Sequence, residues 1–343
     1  MPNLLVERLR KLPSRSDETW QAALLRMPAW AGDENGQPVR PCMVLCVSSR
    51  TGCVGSAKPR SPGQASPGMV LEAVVSLATD RAAGGYRPGR LEVRQPEVAV
   101  QIAPLLAEVG ISVVHEAELA DLDGALGDMT RHFLGGRDDP AALAVPGVTI
   151  EHLRSFAGAA KEFYEAGPWR HWSNQDLIEI MSPAAEEGRG WATVMGAGRR
   201  TFGLAFYESR RQHQLMFERA DPRSARGQRG VWSFTYDHIT DLPLGDADAW
   251  MDHGLPVAGD GAYPFLGRLG PGREVTRPTP KQWAFVEGLA RALARTSGPE
   301  MDSGRWAKTV ETAAGPREYV LSLPALLETS PRPMPPPTRE RPK

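Results

Sequence analysis

Along the first third of the chain, the spacing of apolar residues predicts alternating helices and strands. The earliest pattern lies in residues 16–27, where Ser16 suits a helix N-cap and Trp20, Leu24 and Met27 recur at helical spacing. A helix is therefore predicted there, within a helical lead-in over residues 1–35.

The elements that follow are predicted to be a hairpin, a helix, a strand, a helix, a strand and a closing helix. They lie, in that order, in residues 41–59, 69–85, 90–93, 98–109, 111–115 and 119–134. Gly52 suits the hairpin turn, because glycine readily adopts the positive φ that such turns require. Strands joined through helices pair in parallel, so this order predicts an α/β domain with a layered sheet over residues 36–134.

The segment "GRLEVRQPEVAVQIAPLLAEVGISVVHE", residues 89–116, resembles the core of ribonuclease-H-like nucleases and integrases. That resemblance implies two or three carboxylates converging on Mg²⁺, because a hard cation prefers charged oxygen ligands. Yet the strand "MVLCVSS" contains no acid, and Arg94 and Gln95 stand after "RLEV". Asp121, Asp123 and Asp128 in the closing helix could serve as a third ligand or form a solvated acidic face. The domain is interpreted as a degenerate, non-catalytic member of a bacterial family of unknown function.

The second half of the chain predicts helices and strands in mixed order, which is typical of an α+β domain over residues 150–325. The pattern gives a helix, a hairpin, a strand, an amphipathic helix and a final strand pair, in residues 149–166, 190–209, 230–239, 278–296 and 305–324. Seven of the nine tryptophans lie in this half. Tryptophan clusters can form a ligand platform, but large aromatic side chains mostly build cores.

Two motifs in this half resemble the signature of a second bacterial domain family of unknown function. The matching residues are Pro168, Trp169, Ser173, Asp176 and Leu177, followed by Val194, Met195, Gly196, Phe202, Gly203, Leu204, Ala205 and Tyr207. The resemblance transfers no activity. It makes Trp169, Trp172 and Asp176 candidate binding residues.

Composition and motif content exclude several kinds of protein. The 40 Lys and Arg residues nearly balance the 41 Asp and Glu residues, so no global field attracts nucleic acid or a membrane. No stretch has the length of a membrane-spanning helix, and Cys42, Cys46 and Cys53 suit buried thiols in a reducing cytoplasm. The motifs of serine hydrolases, P-loop proteins and zinc proteases are missing. No metal and no cofactor is expected.

Two segments still contain residues that could catalyse a reaction or bind a ligand. Asp237, His238 and Asp241 lie close together in sequence and could do general acid–base work. The region Arg189–Arg229 holds nine arginines against three acids, a net charge of +6.

Within that region, Arg199, Arg200, Arg210 and Arg211 are candidates for binding a phosphate backbone, with Tyr207 or Phe206 stacking a base if it is exposed. The two arginine pairs are expected on the order of 30 Å apart, at either end of a strand. The alternative is an arginine-rich surface loop without a binding role.

These observations predict two domains joined by a linker at 135–149 and followed by a disordered proline-rich tail at 326–343. The expected function is that of a cytoplasmic, non-enzymatic binding or interaction protein. A divergent nuclease or transposase-derived enzyme, and a nucleic-acid-binding module, are the alternatives. The partner is unknown: another protein or a nucleic acid, bound through the local basic patch, is the candidate, and no membrane partner is expected.

Overall fold

The computed structural model of the chain describes residues 4–81, 83–135, 139–183, 190–218, 231–270 and 274–325. Two compact units divide the chain, Met1–Asp138 and Asp139–Lys343. The predicted tail at 326–343 and the distal part of the arginine-rich region, 219–230, lie outside the described residues.

A mixed five-stranded sheet forms the centre of the first unit. The helices are α1 (Leu4–Arg10), α2 (Gly68–Thr79), α3 (Pro96–Ala107) and α4 (Ala120–Phe133). The strands are β1 (Ser14–Arg26), β2 (Ala31–Gly32), β3 (Pro38–Val39), β4 (Cys42–Ser48), β5 (Val54–Ser56), β6 (Arg87–Val93) and β7 (Ser112–His115). The sheet has the order β5-β4-β1-β6-β7, while β2 and β3 form a separate two-stranded ribbon. From β4 onward the elements follow the predicted order.

The predicted helix at 16–27 is wrong, because this segment forms the central strand β1 of the sheet. It pairs antiparallel with β4 and parallel with β6. Residues Ala22 and Ala23 are both fully buried, since α-helices cover both faces of this strand. A strand buried on both faces loses the alternation of apolar and polar residues, and its remaining apolar positions then mimic helical spacing.

Helices cover the first sheet from both sides. One core cluster joins α1, α2 and α3 to inward residues such as Val44 and Cys46. The opposite cluster joins Leu119 and Leu122, at the start of α4, to Leu45 on β4. The strands "VLCVSS" and "RLEV" lie in one sheet, but they are not neighbours, because β1 lies between them.

The second unit is built on an antiparallel sheet of eight strands among the described residues. Its helices are α5 (Ile150–Ala166), α6 (Arg210–Glu218), α7 (Leu244–His253), α8 (Pro280–Ala294) and α9 (Gly298–Asp302). Its strands are β8 (Ile178–Ser182), β9 (Trp191–Met195), β10 (Gly203–Tyr207), β11 (Trp232–Asp237), β12 (Tyr263–Leu269), β13 (Val275–Thr276), β14 (Arg305–Thr312) and β15 (Gly315–Ser322). The order is β13-β12-β11-β10-β9-β8-β15-β14. This mixture of helices and strands agrees with the predicted α+β class.

Helices α5 and α8 pack on one face of this sheet and enclose the main core. Both begin with a threonine capping box, at Thr149 and Thr279, which satisfies free N–H groups of the first turn. Trp283 on α8 packs edge-on against Phe156 on α5, with ring centroids 4.6 Å apart. Five of the seven tryptophans in this half are buried, which supports core packing; Trp169 and Trp191 are half-buried.

In the described parts of the chain, no helix combines the length and the apolar content needed to cross a bilayer.

Candidate functional site

A neutral amide lies at the edge of the first sheet where β6 and its parallel pairing with β1 end. Gln21 on β1 lies beside Glu92 on β6, and its Nε2 donates to Glu92 Oε2 at 3.2 Å. Its Oε1 accepts from the backbone N–H groups of Asp121 and Leu122, at 3.0 and 3.1 Å. Gln21 thus ties both strands to the N-terminus of α4 and satisfies two of the helix's free donors.

An ion pair occupies the next position along this edge. The guanidinium of Arg94, directly after β6, binds the carboxylate of Asp123 on α4. Gln95 is clamped to the backbone of Leu24, donating to its carbonyl at 2.7 Å and accepting from its N–H at 3.2 Å. Asp128 pairs with Arg131 on the exposed side of the same helix. Over the described residues, no cluster of His, Cys, Asp or Glu is arranged to hold a metal ion.

Sequence reasoning missed Glu18, a buried acid on β1. It accepts hydrogen bonds from Ser48 Oγ at 2.5 Å, Arg50 Nε at 2.6 Å and Trp20 Nε1 at 3.2 Å. Burial alone would raise the pKa of Glu18, but hydrogen bonds from Ser48, Arg50 and Tyr86 outweigh it and lower the pKa below its usual value. The one signal in the sequence is its position two residues before Trp20, which on a strand places both side chains on the same face. The group stabilises the β1–β4 pair.

In the second unit the two signature motifs come together. The Trp169 ring packs on Phe202 with centroids 4.7 Å apart, and also contacts Phe163 at 5.8 Å. Gly196, at a φ of 139°, lies under this tryptophan, and a Cβ there would come within 2.6 Å of the Trp169 side chain. Glycine is therefore required where the β9–β10 turn passes beneath the ring.

Two of the predicted binding residues make structural contacts. Asp176 Oδ2 accepts from the Ser173 N–H at 2.7 Å and closes the turn that precedes β8. Trp172 is buried and packs edge-on against Trp306, with centroids 5.8 Å apart. All three line the larger of two cavities described below, and Trp169 and Asp176 remain partly exposed there.

Two cavities flank the β9–β10 turn, residues 196–202. The smaller, about 430 Å³, lies on the sheet face opposite α5 and α8. Its described lining comprises Asn174, Met195, Gly196, Gly198, Arg200, Thr201, Ala205, Tyr207, Val231, Ser233, Thr235 and Leu269. The larger, about 720 Å³ and more open, is lined by the turn together with residues 169–173 and Asp176. Arg199 lines the larger cavity and Arg200 the smaller, so the turn carries a cation into each.

The four candidate arginines do not form one equivalent set. Arg199, at a φ of 54°, and Arg200 are exposed on the turn. Arg210 is half-buried, with its guanidinium 5.6 Å from the centre of the Trp191 ring, and Arg211 is exposed on α6. The strand between the pairs has five residues, which rise roughly 16 Å. The strand alone accounts for about half of the expected 30 Å, and residues 201–202 and 208–209 lie between it and the two pairs.

Tyr207 does not meet the condition for stacking a base, because it is buried. Its ring packs edge-on against His213 with centroids 5.0 Å apart. Burial raises the pKa of Tyr207, and a hydrogen bond with Thr193 partly offsets this. Its neighbour Phe206 faces the core. The aromatic half of the predicted nucleic-acid interface is therefore missing at these two positions.

The acid–base trio is used in local structure. Asp237 Oδ2 accepts from Thr235 Oγ1 at 2.8 Å, and burial raises the pKa of Asp237. His238 Nδ1 accepts from the backbone N–H of Thr240 at the start of a short 3-10 turn.

The three cysteines are free thiols. Cys46 is fully buried, and its burial raises the thiol pKa strongly. Cys42 and Cys53 are half-buried.

Comparison with known proteins accounts for most of the chain. Residues 5–130 match a domain of unknown function (DUF6930), and residues 154–295 match another (DUF7309). Two domains of unknown function therefore cover the chain. The DUF6930 match lies within the first unit and the DUF7309 match within the second. This confirms the expectation of two domains of unknown function, one following the other in the sequence.

No curated protein matches the sequence. Among solved structures, the cryo-EM structure of the simian T-cell lymphotropic virus intasome in complex with PP2A regulatory subunit B56 gamma is similar at 13% identity. That similarity covers 57% of this chain and 78% of that chain, with a TM-score of 0.21. At this TM-score the likeness carries no argument about fold or function.

Proposed function

We propose that the chain is a cytoplasmic, non-enzymatic binding protein whose DUF6930 unit is a ribonuclease-H-like scaffold. The strand arrangement supports the scaffold: β1, β4 and β5 pair antiparallel, and β6 and β7 are added in parallel through helices. Helices on both sheet faces give the layers expected of that superfamily.

The observation that supports the non-enzymatic part of this proposal is how Gln21 and Arg94 are engaged. A divalent cation at this edge needs converging carboxylate oxygens. Gln21 offers an amide that is already bonded to Glu92 and α4, and Arg94 holds Asp123 in an ion pair. A cation arriving there would meet the Arg94 guanidinium, whose like charge repels it.

Incubation of the purified chain with single- and double-stranded DNA and RNA, with Mg²⁺ or Mn²⁺, tests this proposal. No metal-dependent cleavage is expected. Asp123→Asn and the matched control Asp128→Asn remove one carboxylate each from the same helix. Cleavage that is lost in Asp123→Asn and kept in Asp128→Asn would establish the divergent-nuclease alternative instead.

A second candidate function is binding of a nucleic-acid backbone, and the exposure of Arg199 and Arg200 favours it. Within the described residues neither guanidinium has an ion-pair partner. Backbone binding weakens steeply with salt, because each neutralised phosphate releases counterions. Binding of single-stranded RNA or DNA should then fall in Arg199→Glu/Arg200→Glu and persist in Arg305→Glu, an exposed arginine on β14. Salt-insensitive binding would rule this candidate out.

A further inference from the structure

We propose that the cavity of about 430 Å³ on the open face of the DUF7309 sheet binds a small amphipathic anion. Its apolar body would lie on the strands, and its single anionic group, a carboxylate, sulfonate or phosphate, would pair with Arg200. This inference rests on the proposed binding role and identifies the class of ligand.

The strand register creates the cavity. Ala205 on β10 pairs with Thr193 on β9 and with Ser233 on β11, and Ser233 pairs with Gly267 on β12. Three small side chains and a glycine thus form one row across four strands. Successive residues of a strand point to opposite faces, so this row lies on the face opposite the core residues Leu204 and Phe206.

A second row of small residues extends the depression. Gly203 on β10 pairs with Thr235 on β11 and with Met195 on β9. A Cβ on Gly203 would lie 1.9 Å from the Phe234 carbonyl oxygen, so the backbones approach closely here and no side chain can fill the space. Met195 and Leu269 stand at opposite sides as apolar walls.

The polar groups of the lining are placed for one anion. In the part of the chain that the structure describes, Arg200 is the one charged residue of the lining. The side chains of Arg200, Asn174 and Ser233 have no hydrogen-bond partner among the described residues. Thr235 and Tyr207, in contrast, are engaged with Asp237 and Thr193.

The size and mixed chemistry of the cavity fit a small ligand better than a polymer. Ligand pockets are usually about 300–1,000 Å³, mostly apolar, with a few placed polar groups that orient the ligand. One free guanidinium beside Met195, Ala205 and Leu269 matches that description. A phosphate backbone would require a row of cations.

Titration of the full chain with 8-anilinonaphthalene-1-sulfonate, followed by fluorescence, tests the inference, and the uncharged N-phenyl-1-naphthylamine serves as the probe without the anion. The wild type should bind the sulfonate saturably at one site. Arg200→Glu should weaken its binding at least about tenfold while binding of the uncharged probe stays the same. Arg199→Glu, the same change on the other side of the turn, should leave both affinities unchanged.

Filling the cavity provides an independent arm. Ala205→Leu, or Ser233→Leu if the first variant does not fold, should abolish binding of both probes while the far-ultraviolet circular dichroism stays the same. Equal sulfonate affinity in wild type and Arg200→Glu, or binding that persists in the filled variants, would overturn the inference. Neither result depends on the cleavage assay. A failed cavity prediction would not contradict the proposed binding role, and observed cleavage would not change how the probe titrations are interpreted.

Discussion

Replacing Gln21 by glutamate would turn the structural amide at the edge of the first sheet into a second carboxylate. Glutamate has nearly the same shape, so Oε1 can keep its bonds to the N–H groups of Asp121 and Leu122. The other oxygen would face Glu92 Oε2 at the 3.2 Å now spanned by a hydrogen bond. Gln21 is buried and the Glu92 side chain is 18% exposed, so solvent screens the repulsion only partly.

The expected cost follows from the distance. Two unit charges 3.2 Å apart repel by about 5 kcal/mol at an effective dielectric constant of ~20, and by about 1 kcal/mol in bulk water. A carboxylate at the α4 N-terminus recovers roughly 1 kcal/mol. Since Arg90 also contacts Glu92, we expect a net loss of about 2–3 kcal/mol for the first unit at pH 7.5.

Hydrogen exchange of the β1 amides in the full chain, read by mass spectrometry, measures this loss within the first unit. A cost of 2–3 kcal/mol corresponds to about 30- to 150-fold faster exchange. Repulsion raises one pKa of the carboxylate pair above its unfolded value. A carboxyl group with a raised folded pKa destabilises the folded state while it is ionised, and this effect is absent below its unfolded pKa. The loss of stability in Gln21→Glu should therefore shrink as the pH falls toward 5.

Exchanging the two residues supplies the control. Gln21→Glu/Glu92→Gln restores an amide–carboxylate pair with the roles reversed and keeps an acceptor at the α4 N-terminus. This variant should regain most of the lost stability at pH 7.5. Exchange in Gln21→Glu that equals the wild-type rate, or a deficit of the same size at pH 5 and 7.5, would refute the reasoning.

Three further predictions concern stability. Asp246→Ala leaves the buried guanidinium of Arg277 unpaired and should cost about 3–5 kcal/mol, whereas Asp246→Ala/Arg277→Met should recover much of this in urea unfolding. Glu18→Gln should make the free energy of unfolding depend less on pH in the acid range. The lowered folded pKa of Glu18 gives the wild type stability that is present above the unfolded pKa of this group and lost as the pH falls below about 4. Gly203→Ala should lower thermal stability by at least about 2 kcal/mol, since its Cβ would collide with a backbone carbonyl; an unchanged melting temperature would contradict the described strand spacing.

The sequence predicts those elements whose ends carry clear local signals. Helix α8 shows its capping threonine and apolar stripe, and the β9–β10 hairpin shows its turn glycines, so both were predicted correctly. Strand β1 was missed because both of its faces are buried, and the polar start "SRSDET" imitates a helix cap. Because β1 was predicted to be a helix, Glu18 was not recognised and β4 was taken as the opening strand of the domain.

The candidate site was only partly predictable for a related reason. Arg199 and Arg200 could be assigned to an exposed turn from local pattern alone. The burial of Tyr207 and Trp172 depends on strands and helices that are distant in sequence. The row of small residues that includes Ala205 and Ser233 exists only once the strand register is known.

The most direct test of the central claim is a Mn²⁺ titration of the full chain, followed by electron paramagnetic resonance, in the wild type, Asp123→Asn and Asp128→Asn. The account holds that Gln21 and the Arg94–Asp123 ion pair fill the edge of the first sheet, so the three proteins should give the same binding curve. A saturable Mn²⁺ site that is present in the wild type and in Asp128→Asn but absent from Asp123→Asn would contradict it.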